Sequence, residues 1–229
     1  MKTIGLIGGT TWHSSAEYYK IINQQIHNKL GKNHSAKCIL YSLDFEKIYR
    51  FMAEEKWDKI AKKLIKISRT LEASGAECIL ICTNTLHIVA DIIEESIVIP
   101  LINICLCTAN KISQDGINKI ALLGTKFTME QDFFKEKIAT KGILTITPDK
   151  KEREFINDAI FNELGHGIIK EKTKIAFKEI IENLKAKGAK GIVLGCTEIP
   201  LLIKQSDFDI PIYDTTSIHA NSAVDFALL

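Results

Sequence analysis

The chain repeats itself, and that restricts its fold more than any other feature. Lys2-Thr3-Ile4-Gly5-Leu6-Ile7-Gly8 resembles Asn118-Lys119-Ile120-Ala121-Leu122-Leu123-Gly124. Gly75-Ala76-Glu77-Cys78-Ile79-Leu80-Ile81-Cys82-Thr83 resembles Gly188-Ala189-Lys190-Gly191-Ile192-Val193-Leu194-Gly195-Cys196-Thr197, and Ile99-Pro100-Leu101 resembles Ile210-Pro211-Ile212. The offsets are 116 (Ile4 to Ile120), 113 (Gly75 to Gly188) and 111 (Pro100 to Pro211). One match could be chance. Three in order, at nearly constant spacing, argue for a duplicated unit of roughly 110 residues.

Each half alternates short apolar runs with longer stretches of helical period. The expected strands are Ile4–Ile7, Cys38–Leu43, Cys78–Cys82, Leu101–Ile104, Ile120–Leu123, Ile143–Ile146, Ile192–Leu194 and Ile212–Tyr213. Between them, residues such as Ile60, Leu64, Ile67 and Leu71 recur at three to four residues, the spacing of one helix face. Lys59, Lys62, Lys63 and Lys66 then read as the solvated face of that helix. The alternation predicts an α/β fold of two halves, each a mostly parallel sheet flanked by helices. The expected division is 1–104 plus 214–229 for the first domain and 105–213 for the second.

Composition removes several functional classes. The 229 residues carry Lys+Arg 30 and Asp+Glu 28, a net charge of +2. That balance excludes a nucleic-acid or membrane-surface binder acting through bulk charge. With 46% hydrophobic and 25% charged residues the chain is globular rather than disordered. The longest apolar stretch, Ile97 to Cys107, is broken by Pro100 and Asn103 and is too short to span a bilayer. Gly8-Gly9-Thr10-Thr11 interrupts the first apolar run before a signal peptide could form. A cytoplasmic location is expected, in keeping with six cysteines in no paired spacing. Cys105 and Cys107 form C-x-C with no second pair to complete a zinc site, so no metal is expected. Cys38, Cys78, Cys105 and Cys107 read as small core residues.

Both halves open as strand, Gly/Thr loop and helix. Ser14-Ser15-Ala16-Glu17 and Thr128-Met129-Glu130-Gln131 each fit a capping box, with a hydroxyl and a Glu or Gln three residues later. Free amides at such a turn suit a carboxylate or phosphate, and a tight turn with no ligand is the alternative reading. Gly5-x-x-Gly8-Gly9 lacks the dinucleotide spacing, and no Lys-Ser/Thr follows as in a P-loop.

The most unusual segments are Cys82-Thr83-Asn84-Thr85-Leu86-His87 and Gly195-Cys196-Thr197-Glu198-Ile199-Pro200. Both follow buried strands, and ligands of open α/β sheets bind at the carboxyl ends of strands. Two facing halves would each offer a Cys-Thr segment to a shared small-molecule cleft. A thiol with an unperturbed pKa of roughly 8.5 carries protons well. Two carriers approaching one carbon from opposite sides can remove a proton and return it with inversion. The alternative is that Cys82 and Cys196 are buried strand-end residues and the Thr and Asn side chains close turns.

Five motifs resemble the aspartate/glutamate racemase family nearly end to end. They are Gly8-Gly9-Thr10-Thr11-Trp12-His13-Ser14, Cys82-Thr83-Asn84-Thr85-Leu86-His87, Leu123-Gly124-Thr125-Lys126-Phe127-Thr128-Met129-Glu130-Gln131-Asp132-Phe133, Gly195-Cys196-Thr197-Glu198-Ile199-Pro200 and Asp214-Thr215-Thr216-Ser217-Ile218-His219-Ala220. The resemblance implies two pseudo-symmetric α/β halves with the active site between them. It also implies racemisation of aspartate, glutamate or both by two bases, with no cofactor: neither pyridoxal phosphate nor metal. The second base of the family is the Cys of G-C-T-E, here Cys196. The first directly precedes Asn-Thr and is Cys in many members. Here it is Thr83, as in the Thr/Cys branch, with Cys82 one residue earlier as the alternative.

The family's substrate-binding loops map onto Thr10, Asn84, Thr85, Thr125 and Thr197. Lys170 matches a lysine that some aspartate racemases place near the substrate's distal carboxylate, and Arg50 is the other candidate. Met52 stands where similar racemases carry a polar substrate contact. Glu198, which follows the Cys196-Thr197 pair, either tunes the thiol or has a structural role. The partner implied is a small acidic amino acid, with no nucleic acid and no membrane; family members are often homodimers. Other readings are another superfamily reaction, such as hydantoin racemisation, and a catalytically inactive two-lobed binding module that has lost a base at Thr83.

Overall fold

A computed structural model describes all residues, 1–229. The chain begins with β1 (Ile4–Gly8), α1 (Trp12–Leu30), β2 (Cys38–Ser42), α2 (Phe45–Ala53), α3 (Trp57–Ala73), β3 (Cys78–Ile81), a 3₁₀ turn over Thr85–Val89 and α4 (Ala90–Glu94). It continues with α5 (Ile104–Gln114), β4 (Lys119–Gly124), α6 (Lys126–Glu130), α7 (Asp132–Ala139), β5 (Leu144–Ile146) and α8 (Lys150–Asn162). A 3₁₀ turn at Leu164–His166, α9 (Glu171–Ala186), β6 (Ile192–Gly195), α10 (Ile199–Leu202), a 3₁₀ turn at Gln205–Asp207, β7 (Ile212–Asp214) and α11 (Thr215–Leu228) complete it. Two compact units result: Met1–Ile104 with Thr216–Leu229, and Cys105–Thr215. No helix is long and apolar enough to cross a membrane.

The first unit holds a sheet in the order β2-β1-β3 and the second a sheet in the order β5-β4-β6-β7. Every strand pair is parallel. The expected α/β class with parallel sheets is what the chain adopts. Strand–helix–strand crossovers bury both faces of such a sheet, which is why its strands read as continuous apolar runs.

In the first unit Ile4, Leu6, Cys78, Leu80 and Cys82 point to one side, as residues two apart in a strand must. Tyr18, Ile22 and Ile26, spaced by one helical turn on α1, cover them with Ala220, Ala223, Val224 and Ala227 of α11. In the second unit Ala121, Leu123, Ile192, Leu194 and Cys196 lie against Ile156, Ile160, Phe177, Ile181 and Leu184.

The duplication is visible in the hydrogen bonds. The amide of Ile79 donates to the carbonyl of Pro100, and the amide of Ile192 donates to the carbonyl of Pro211, each at 2.9 Å. Glu77 N–H donates to Thr3 and Lys190 N–H to Lys119, at 2.8 and 2.9 Å. Ile79 and Ile192 are therefore counterparts.

Several local expectations need correction. Leu101–Ile104 is not a strand: Leu101 makes an isolated parallel bridge to Ile79, and α5 begins at Ile104. The cause is that the Ile104 amide donates to His87 Nε2 at 3.2 Å instead of continuing the ladder. The capping residues are Thr11 and Thr125, whose hydroxyls accept from Ser14 N–H and Thr128 N–H. Ser14 and Thr128 lie inside the helices. Ser14 Oγ donates to the Cys82 carbonyl at 2.7 Å, and Ser15 Oγ accepts from Gly9 N–H at 2.7 Å, so these hydroxyls tie α1 to the neighbouring strand ends. A complete capping box occurs instead at Asp149 and Glu152. Cys78 and Cys105 are buried, but Cys38 and Cys107 are only half-buried. Lys59, Lys62 and Lys66 lie on the exposed face of α3, and Lys63 is half-buried.

Candidate active site

The residues singled out by sequence lie where the strands of each unit end. In the first unit β1 pairs with β3 up to Ile7 and Ile81, so Thr10 and the segment 82–85 emerge side by side. In the second unit Gly124 pairs with Gly195, which brings Thr125 beside Cys196. Small residues are needed here. A side chain on Gly124 or Gly195 would lie within 3.0 Å of the Thr128 side chain. Gly9 has a φ of +87°, and a Cβ there would fall 2.2 Å from the Leu43 carbonyl oxygen.

The ladder fixes which residues correspond. Counting four positions on from Ile79 reaches Thr83, and four on from Ile192 reaches Cys196. Thr83 is therefore the counterpart of Cys196. Cys82 is the counterpart of Gly195, not of Cys196 as the matching Cys-Thr pairs suggest. The visible repeat misleads because one residue separates the two Cys-Thr registers.

Cys82 is fully buried among Ile4, Leu6, Tyr18 and Leu80, and burial drives its thiol far above the usual range. Thr83 is half-buried. Its amide donates to Ile81 at 2.8 Å, and its carbonyl accepts from His87 Nδ1 at 2.8 Å. The hydroxyl is the polar atom of Thr83 that these bonds leave free. Asn84 and Thr85 are buried at the start of the 3₁₀ turn. The Thr10 hydroxyl is buried and has no hydrogen-bond partner within the protein. A buried hydroxyl without a partner is costly, and a polar ligand atom would satisfy it.

In the second unit Cys196 is 8% exposed, and its thiol donates to Glu198 Oε2 at 2.8 Å. Thr197 Oγ1 donates to the same oxygen at 2.7 Å. Burial first, then the charge of Glu198 and the hydrogen bond to it, raise the thiol well above its ordinary pKa. The thiol is protonated at neutral pH, with a buried carboxylate in place to receive its proton. Thr125 caps α6 and is nearly buried, its Oγ1 lying 3.2 Å from Thr128 Oγ1.

A thiol and a hydroxyl at equivalent strand ends, each beside a capped Gly/Thr loop, is the local architecture of the racemase motifs. Residues 7–223 match the Asp/Glu/Hydantoin racemase family. The chain belongs to that family. It is 47% identical to a candidate Asp/Glu racemase from Yersinia pestis, with all of both chains covered and a TM-score of 0.96. An aspartate racemase homologue from Pyrococcus horikoshii is 36% identical, again with all of both chains covered and a TM-score of 0.89. A broad specificity amino-acid racemase of Bacillus subtilis is 23% identical over 172 residues, 73% of this chain and 72% of that one. The family makes this chain an isomerase of the racemase class.

The remaining candidates of this racemase-family chain lie on or at the start of helices. Lys170 is exposed at the N-cap of α9, with Nζ 2.9 Å from Glu163 Oε1. Glu163 is held below the usual carboxylate range by Thr173 and then by Lys170. Arg50 is exposed on α2 and pairs with Glu46 at 2.8 Å. Met52 is buried in the core. No three His, Cys, Asp or Glu side chains cluster as a metal site. His87 and His219 stand at the ends of two quoted motifs, yet the sequence reading gave neither a role. Both are buried and bonded.

Proposed function

We propose that this protein interconverts the enantiomers of aspartate, glutamate or both by moving the α-proton between Thr83 and Cys196, without a cofactor. The observation that carries the reading is the ladder register, which gives these two residues equivalent places in a chain of the racemase family.

Each carrier has a defined task. The protonated Cys196 thiol is a general acid for one face of the α-carbon. To act as a base it first passes its proton to Glu198, the carboxylate 2.8 Å away. Thr83 serves the opposite face through a hydroxyl, a far weaker acid than a thiol. No carboxylate stands at its counterpart of Glu198, because that position is Thr85. Proton transfer at Thr83 therefore needs a relay, and the two enantiomers differ in kcat and KM while sharing one kcat/KM, because they have equal free energy. Thr10, Asn84, Thr85, Thr125 and Thr197 supply the hydroxyls and amides for the substrate's carboxylate and amino groups. Lys170 takes the distal carboxylate, exchanging its ion pair with Glu163 for one with the substrate.

The test is incubation with L-aspartate and L-glutamate in turn, followed by chiral chromatography. The reading expects the D-enantiomer of at least one. Complete retention of configuration in both would leave a binding module or another reaction of the superfamily instead.

A further inference from the structure

Two histidines 132 positions apart meet in the interior of the first unit, as 219 − 87. Their rings contact edge to face, with centroids 5.6 Å apart. His87 is 4% exposed and His219 is fully buried. Their bonds fix opposite tautomers. His87 lies 2.8 Å from the Thr83 carbonyl through Nδ1, and a carbonyl only accepts, so Nδ1 carries the hydrogen. Its Nε2 accepts from the Ile104 amide. His219 reverses this. Its Nε2 donates to the Ile102 carbonyl at 2.5 Å, and its Nδ1 accepts from the Tyr18 hydroxyl at 2.7 Å.

The consequence is concentrated on Thr83. The carbonyl of Cys82 is held by Ser14 Oγ, and that of Thr83 by His87. The amides of both residues are bonded to Ile7 and Ile81. Every backbone polar group of the strand end is tied down while the Thr83 side chain is left free to react. In the second unit the carbonyl of Cys196 accepts instead from the Ile199 amide at 3.3 Å. The counterpart of His87 there is Pro200, which has no side-chain donor. The imidazole brace thus belongs to the hydroxyl-bearing unit alone.

We propose that His87 is a positioning residue, which orients the Thr83 hydroxyl by holding its backbone, and that His219 fixes the His87 ring. The inference rests on the reading of Thr83 as a proton carrier. A hydroxyl is the weaker of the two carriers and tolerates misplacement least, since displacement by about 1 Å costs on the order of 10²-fold in rate.

The experiment compares wild type with His87→Leu and His87→Asn. Asn places an amide donor near the position of Nδ1, and Leu removes the donor. In His87→Leu, kcat for α-proton exchange of aspartate should fall about 10²-fold with little change in KM, and His87→Asn should recover most of it. Amide hydrogen exchange should accelerate at residues 82–87 in His87→Leu and stay unchanged in Ile4–Gly8. A folded His87→Leu with unaltered kcat, or an Asn variant as slow as Leu, would overturn the proposal. Should His87→Leu fail to fold, nitrogen-15 chemical shifts of the wild-type rings decide it. The Nδ1–H tautomer at His87 supports the brace, and Nε2–H excludes the bond to Thr83. Wild type that exchanges neither aspartate nor glutamate refutes the racemase reading itself, and the tautomer and amide exchange still judge the brace.

Discussion

Thr83 and Cys196 occupy the same register position in two copies of one sheet, four residues beyond the strand amide that bonds a proline carbonyl. The duplication has kept the place and changed the chemistry. Cys196 keeps a thiol and has a carboxylate two residues on at Glu198. Thr83 has a hydroxyl, a threonine two residues on and a histidine at 87 holding its carbonyl.

Glu198 should govern the titration of Cys196. Removing its charge favours the thiolate, so Glu198→Gln should lower the thiol pKa, read from thiolate absorbance in the ultraviolet against pH. Racemisation should slow by about 10²–10⁴-fold in both directions, because the thiol proton loses its acceptor and the two enantiomers share the same transition states. An unchanged titration curve and rate would remove Glu198 from the mechanism.

The register makes opposite forecasts for neighbouring residues. Thr83→Ala should lose racemisation, and Thr83→Cys should keep or gain it. Cys82→Ala should remain active, at a cost of about 1 kcal/mol for a small cavity among Ile4, Tyr18 and Leu80. An inactive Cys82→Ala with a nearly normal Thr83→Ala would shift the carrier to Cys82. Chiral assays and urea denaturation of the three variants separate these outcomes.

Lys170 is paired with Glu163, and its test is kinetic. Lys170→Ala should raise KM for aspartate by the worth of a charge-assisted hydrogen bond, about 1.5–3 kcal/mol. An unaltered KM would return Lys170 to the surface and bring Arg50 forward.

The buried histidines should make the fold sensitive to acid. Burial holds His87 at about 4, and burial with the neighbouring His87 holds His219 at about 3. Asp91 and the carbonyls bonded to these rings oppose the shift without cancelling it. Unfolded histidine titrates near 6.5, so below that pH the unfolded chain binds more protons than the folded one. The contribution is present in full above about 6.5. It is lost as pH falls, at about 1.4 kcal/mol per pH unit and ring, and levels off below the folded values. Urea denaturation at pH 7.5 and pH 5 should show the loss, and His87→Asn should reduce it. Equal stability at both pH values would contradict the burial of neutral rings.

The fold was legible because duplication and short continuous apolar runs are written in residue type: Ile4–Ile7, Ile120–Leu123 and Ile192–Leu194 lie in strands buried on both faces. The end of a strand was not. Whether Leu101–Ile104 continues as β-structure depends on His87, distant in sequence, accepting the Ile104 amide. Ser14 and Thr128 resemble caps because hydroxyl spacing is local, whereas the observed caps follow from where the strands before them stop. The candidate site was legible in its motifs, and the repeat itself was the weak guide. Two Cys-Thr pairs align by eye, whereas the Asn84-Thr85 pair of the family motif and the backbone ladder both align Thr83 with Cys196. His87 and His219 sit in those motifs, but nothing in either motif says that the two rings meet.

The central claim is that two single-proton carriers act on one carbon, and deuterium labelling tests it most directly. L-Aspartate and, separately, L-glutamate are turned over in deuterated water by wild type and by Cys196→Ala, with the early products followed by proton NMR and chiral analysis. For at least one substrate the account predicts D-product carrying deuterium at Cα while the remaining L-substrate keeps its proton. It predicts no deuterated D-product from Cys196→Ala. Deuterium entering the L-substrate as fast as D-product forms, or racemisation surviving the loss of Cys196, would contradict it.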